Sequence, residues 1–196
     1  KSRNRWYESN ANITICSEGL AGDDRISGAG IISKAAYLKV LPALKKSLKS
    51  FRPEIMHAHY ASSYGFIGAL SGFHPFFISA WGSDIFDFPN KGILPRAILK
   101  SNLKKADKIF STSNVLAIET KKYTNKEVEV IPFGVDLDIF NSHQNYTRLF
   151  SSDSMVIGTI KTLEKDYAID VLLRAFSILK ERNLTVSLKL LIVGKG

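Results

Sequence analysis

The apolar positions of this chain fall into two rhythms. Between about Ile31 and Phe51, Leu38, Leu41, Leu44 and Leu48 recur at three- and four-residue steps. That is the spacing of one helix face, and the run stops before Pro53, as helices tend to. Short dense apolar runs then alternate with helical ones. Residues 54–60 (EIMHAHY) read as a strand, followed by a small-residue helix reaching about Gly72. Residues 76–81 (FFISAW) read as a second strand, followed by a polar turn and a helix whose apolar side carries Leu94, Ile98 and Leu103. Residues 108–112 (KIFST) read as a third strand, with a helix from Asn114 to about Tyr123, and 127–132 (EVEVIP) as a fourth. Short strands alternating with helices predict an α/β fold with a parallel sheet, whose ligands sit at the carboxyl ends of the strands. Ahead of this series, 12–16 (NITIC) reads as a short strand, and a Gly-rich polar loop runs from Gly19 to Gly30.

The rhythm breaks at 141–154, which is polar and aperiodic and reads as a linker. Residues 155–161 (MVIGTIK) start a new strand. A helix follows from about Tyr167 to Arg182, with Val171, Leu172, Ala175, Phe176 and Leu179 on one face, and a last strand ends at Gly194. One α/β unit over 1–140 is therefore followed by barely one βαβ unit over 155–196. Such a piece cannot cover both faces of its sheet.

Composition narrows the class. The 196 residues are 45% hydrophobic and 23% charged, which excludes disordered, collagen-like and coiled-coil chains. The single Cys16 excludes a disulfide framework and a cysteine-rich zinc site. No run approaches the ~18 apolar residues of a membrane span, and no signal-peptide core follows the basic start. The expected setting is cytoplasmic, with peripheral contact at the inner face of the membrane as an extension of it.

The net charge of +9 is uneven. Lys34, Lys39, Lys45, Lys46, Lys49 and Arg52 cluster on the first helix, and Lys91, Arg96, Lys100, Lys104, Lys105 and Lys108 on the later one, where Asp107 is the only acid. Two readings stay open: solvated helix faces, or surfaces for an anionic partner such as membrane lipid or a nucleotide. Nucleic acid is disfavoured, because zinc-finger, RNP-like and basic-zipper patterns are all missing.

Four segments carry chemistry: HAHYASSYG (57–65), AWGSD (80–84), IPFGVD (131–136) and GTIKTLEKDYAIDVLLRAF (158–176). From position alone, His59 ends a strand where a ligand would lie, and His57 shares its strand face. A structural histidine remains the alternative for either. Ser62, Ser63 and Gly65 open a helix, where small residues and free N–H groups suit a polar or anionic ligand, or ordinary capping. Asp84 fits an acceptor hydroxyl or a turn cap. A His-x-His metal site lacks a third ligand, so no metal is expected. The Gly28-Ala29-Gly30 run has Ser33 where a dinucleotide fingerprint needs glycine, and phosphate-loop and GxSxG motifs are absent.

In order and spacing these segments resemble the retaining nucleotide-sugar glycosyltransferases of family four, which have the GT-B fold. The final 190–196 (LLIVGKG) resembles the next strand and Gly turn of that family's donor domain. The resemblance implies Rossmann-like sheets with flanking helices. Residues 1–140 would be the acceptor-side domain without its first strand, 141–154 a linker, and 155–196 the start of an incomplete donor domain. It implies His59 as the catalytic-site residue near the transferred sugar. Lys161 and Lys165 would face the donor pyrophosphate, with Gly158 allowing close approach of the backbone. The acceptor-side candidates would be Ser62, Ser63, Gly65 and Asp84. The substrates would be a nucleotide-diphosphate sugar and a saccharide or lipid-linked acceptor, with no further cofactor.

Departures matter as well. Trp81 stands where the family often has histidine, and after Lys165, which matches the Lys of the family's Lys-Gly turn, Asp166-Tyr167-Ala168 replaces the usual Gly. Gly134 suits close packing or a positive φ, while Asp136 and Phe140 suit a cap and a packing anchor. The family's glutamate pair, seven residues apart, falls beyond Gly196, so these residues alone are expected to be inactive. The rival readings are a non-catalytic α/β module that binds an anionic membrane or a partner chain through its basic helices, and a sugar-nucleotide epimerase of related fold.

Overall fold

A computed structural model describes residues 11–16, 36–141, 149–182 and 185–196. The Gly-rich loop 19–30, the start of the first helix and residues 142–148 of the expected linker lie outside the described residues. The chain divides into two compact units, Lys1–Gly134 and Val135–Gly196.

In the first unit a 3₁₀ turn, Ala36–Val40, leads into helix α1, Leu41–Phe51, with a proline in its first turn. The helix stops where Arg52 turns left-handed (φ 49°) and its N–H donates to the Leu48 carbonyl at 3.0 Å, just before Pro53. Leu41, Leu44 and Leu48 are half-buried while Lys45, Lys46 and Lys49 are exposed, so the expected amphipathic split is real. Residues 12–16, expected as a strand, form none. They lie beside the last turns of α1, where Ile13 and Phe51 line one surface groove. A segment this short needs a ladder partner to become a strand, and none pairs with it among the described residues.

Strands β1 (Met56–His59), β2 (Phe76–Ala80), β3 (Lys108–Ser111) and β4 (Glu129–Val130) form a parallel sheet in sequential order. Met56 pairs with Phe76, Phe77 with Lys108 and Phe110 with Glu129. Between them run α2 (Tyr64–Ser71), the short α3 (Ser83–Phe86), α4 (Ile93–Lys105) and α5 (Asn114–Thr120). The expected α/β class with a Rossmann-like parallel sheet is therefore observed, although β4 keeps only two residues of the predicted 127–132 run.

Alternation sorts the sheet into two unlike faces. Ala58, Phe76, Ile78, Ala80 and Ile109 point into a core closed by Leu99, Leu103 and Leu116 from the helices. α2 reaches this face closely because Gly68 has no side chain: a Cβ there would stand 2.5 Å from the Phe76 ring. α4 buries Pro95, Leu99, Asn102 and Leu103. The predicted stripe through Leu94 and Ile98 is off by one residue. Leu94 is exposed and Ile98 only packs at the margin, because the helix begins at Ile93 and turns Leu99 inward. Asp107 ties α4 to β2: its carboxylate accepts the Phe76 N–H at 2.6 Å and contacts His74 Nδ1 at 2.7 Å. The Phe76 bond first, then His74, holds this carboxyl below its ordinary range.

The second unit is one βαβ module. Strands β5 (Ser154–Ile160) and β6 (Ser187–Val193) are parallel in full register, joined through α6 (Ile169–Glu181). Leu172, Phe176 and Leu179 of the predicted helix face are half-buried, whereas Val171 and Ala175 are exposed. No described residue of α6 is fully buried.

Candidate functional site

The ends of β1, β2 and β3, with 131–134 after β4, meet along the carboxyl edge of the first sheet. On the face opposite the core they enclose an open groove of about 550 Å³ lined by His57, His59, Ser79, Trp81, Phe110 and Phe133, among others. Period-two alternation puts His57 and His59 together on this face while Ala58 enters the core.

The two imidazoles do different things. The His57 ring nitrogen Nε2 lies 2.8 Å from Ser79 Oγ, and its ring is edge-on to Phe77 and Phe110. Burial, reinforced by the charge of His59, pushes the His57 pKa below its ordinary value of 6.5, which favours the neutral ring. The expected structural role for His57 fits this setting. His59, with its ring 4.2 Å from that of His57 and perpendicular to Trp81 at 5.8 Å, has no hydrogen-bond partner among the described residues. The residue is exposed and lines the groove. Trp81 also meets Phe133 at 5.2 Å, so the three rings form a continuous wall that is partly solvent-exposed. A wall of this kind presents aromatic faces beside one free imidazole, which suits a ligand with both an apolar ring face and hydroxyl groups.

The remaining acceptor-side candidates stand behind this wall. Ser62, Ser63 and Gly65 are buried, and Asp84 is fully so. Ser63 occupies the N-cap of α2 without making a side-chain cap bond. A Cβ at Gly65 would meet the Ile78 side chain and the Tyr60 carbonyl at 3.3 Å, so this glycine serves packing. Asp84 accepts N–H bonds from Trp81 (3.0 Å), Gly82 (2.8 Å) and Ala61 (2.6 Å). Its oxygens face backbone, not the groove. The buried Asn102 of α4 donates Nδ2–H to the Ala61 carbonyl at 3.0 Å. Nothing local in the sequence marks Asn102, whose only signal is a polar residue on the inward stripe of α4. Tyr60, between His59 and Ala61, has φ 102°, a conformation costing a non-glycine residue about 1–3 kcal/mol. The surrounding bonds hold it there.

Gly134 shows neither a positive φ nor a neighbour within 4 Å of a Cβ position, contrary to expectation. In the second unit Asp136 does cap a turn, accepting from the Asp138 N–H at 3.0 Å, but Phe140 is exposed and anchors nothing.

The donor-side candidates lie in that second unit. Gly158 sits within β5, paired with Leu191, with only ordinary contact around a Cβ position. Lys161 follows β5, its Nζ 4.4 Å from the centroid of the Tyr167 ring. Lys165 opens a 3₁₀ turn, Lys165–Tyr167, and is exposed. Ala168 closes that turn in the left-handed region (φ 50°). Gly194 stitches the ends of β5 and β6: a Cβ there would lie 1.8 Å from the Lys161 carbonyl oxygen, and the Leu163 N–H donates to the Lys195 carbonyl at 2.8 Å.

The basic charge of α4 is partly structural. Lys126 Nζ donates to the Lys104 carbonyl at 2.7 Å and to that of Ala106, capping the helix end, and Lys105 Nζ donates to the Ala69 carbonyl at 3.3 Å. Lys122 pairs with Glu119 at 2.7 Å. Among the described residues no cluster of His, Cys, Asp and Glu could hold a metal ion, and no helix is long and apolar enough to cross a membrane.

A Rossmann-like sheet with a polar-aromatic groove at its carboxyl edge defines a ligand-binding α/β unit of the kind used by many transferases. Residues 19–113, which contain His59, Trp81 and Asp84, match the model of the family described as Glycosyl transferase 4-like. A protein of Bacillus subtilis (strain 168), provisionally named teichuronic acid biosynthesis glycosyltransferase TuaC, is 25% identical over 113 residues. That alignment covers 55% of this chain and 29% of the relative. The chain thus carries a glycosyltransferase 4-like segment and spans less than a third of its relative.

Proposed function

We propose that the chain belongs to a retaining glycosyltransferase that moves a sugar from a nucleotide-diphosphate sugar to a saccharide or lipid-linked saccharide acceptor. The observation that carries this reading is the exposed His59 imidazole beside the Trp81–Phe133 wall, at the strand edge of the segment that matches the family. In the proposed step the bond between the anomeric carbon and the phosphate oxygen breaks and its electron pair stays on the phosphate. The acceptor hydroxyl oxygen bonds to the same face of that carbon, and its proton passes to the departing phosphate oxygen. His59 supports the transferred sugar. Lys161 and Lys165 offset the charge growing on the pyrophosphate, and Gly158 gives the donor room. The chemistry needs no metal or further cofactor, and its proposed setting is the cytoplasm.

The test is sugar transfer from a panel of nucleotide sugars by the full-length protein that carries these residues, with product configuration read by NMR. Retention is expected, and His59→Ala should slow turnover roughly 10²–10⁴-fold. An unchanged rate removes His59 from the site, and an inverted product ends the retaining reading.

A peripheral membrane contact is favoured by one feature. Ile93 is 91% and Leu94 56% exposed at the start of α4, next to Lys91 and Arg96. Apolar tips beside cations suit an anionic lipid surface. Salt-sensitive flotation with anionic but not neutral vesicles tests it.

A further inference from the structure

We propose that Asp84 and Asn102 are positioning residues for the groove, holding one residue, Ala61, through the peptide groups on either side of it so that His59 and Trp81 face a ligand together. The inference rests on the transferase reading only for its kinetic arm. Ala61 is fully buried two residues after His59. Its N–H donates to Asp84 Oδ2 and its carbonyl accepts from Asn102 Nδ2. Asp84 Oδ1 holds the N–H groups of Trp81 and Gly82. One carboxylate thus joins the loop after β1 to the loop after β2, across 23 positions of sequence. A turn cap would need only the local pair of bonds. The third bond reaches the other loop, and Asn102 arrives from a third element, α4.

Substituting Asp84 by Asn keeps the shape but turns an NH₂ toward a backbone N–H donor, so one side of the link is lost. With both residues bonded to the backbone of Ala61, their effects should be non-additive.

The experiment uses the intact chain in a Trp6→Phe background, which leaves Trp81 as the one tryptophan of these 196 residues. In Asp84→Asn and Asn102→Ala, Trp81 emission should move to the red and acrylamide should quench it more strongly, in protein that remains folded by circular dichroism. In the transfer assay kcat should fall roughly 10- to 100-fold, while the donor KM stays within about twofold. In the unaltered chain, the Ala61, Trp81 and Gly82 amides should exchange with solvent at least about 100-fold more slowly than unbonded loop amides. Unchanged Trp81 quenching in the folded variants, or fast exchange of those three amides, overturns the proposal. If Asp84→Asn fails to fold, Asn102→Ala and the amide exchange decide. Altered Trp81 behaviour together with no sugar transfer by the full-length protein supports the positioning role and refutes the transferase reading. A uniform rise in both KM values with kcat intact refutes positioning and leaves the transferase reading in place.

Discussion

In the first unit the carboxyl ends of neighbouring strands are tied by buried side chains; in the second, among the described residues, the carboxyl ends are tied by backbone bonds. Asp84 and Asn102 fix the loops after β1 and β2 from within a closed core, and the groove residues project from that rigid base. The ends of β5 and β6 are joined by carbonyl-to-amide bonds around Gly194, and the lysines there are held by little beyond a ring contact. The difference teaches where precision is stored. A side chain meant to approach a reacting carbon benefits from tight placement, whereas point cations can act on a diffuse phosphate charge from a looser frame.

The contrast can be broken by experiment. Leu99→Ala, in the fully buried stripe of α4, should destabilise the chain by about 2–5 kcal/mol in denaturant titration. Gly194→Ala forces a Cβ against a carbonyl oxygen, and should cost about 1–3 kcal/mol with loss of exchange protection confined to β5 and β6. Phe176→Ala, on the half-buried face of α6, should cost only about 1 kcal/mol. Equal losses for Leu99→Ala and Phe176→Ala would show that the second unit packs as tightly as the first. The smallest effect is acid sensitivity at His57. Its folded pKa is lowered, so the unfolded chain takes up its proton first. Stability is fully present above about pH 6.5 and declines as pH falls through the lowered folded value. Unfolding midpoints between pH 7 and 5 should drop less in His57→Gln than in the unaltered chain. Identical slopes would mean that His57 titrates normally.

Much of the first unit is legible in sequence because its signals are local. The dense apolar run at 76–80 and the Pro53 stop need no knowledge of neighbours. The site is only half legible. His57 and His59 announce a shared face, but the fate of Ser62, Ser63 and Asp84 depends on what packs behind them. Asp84 reads as a ligand contact or a turn cap, and its bond to Ala61 in the other loop emerges only from the fold. Asn102 acts across 41 positions, a distance over which no periodicity speaks. The helix phase of α4 fails for a related reason: Leu94 and Leu99 are equally apolar, and only the sheet decides which turns inward.

The sequential strand order has a consequence for how the chain is made. Each strand of the first sheet pairs with the one synthesised just before it, and no rung joins residues more than roughly thirty positions apart. A nascent chain leaving the ribosome can therefore add each βα repeat to a template already formed, without waiting for its distant end. The His59 edge is built first, and the Asp84 and Asn102 bonds close over it as the later repeats emerge.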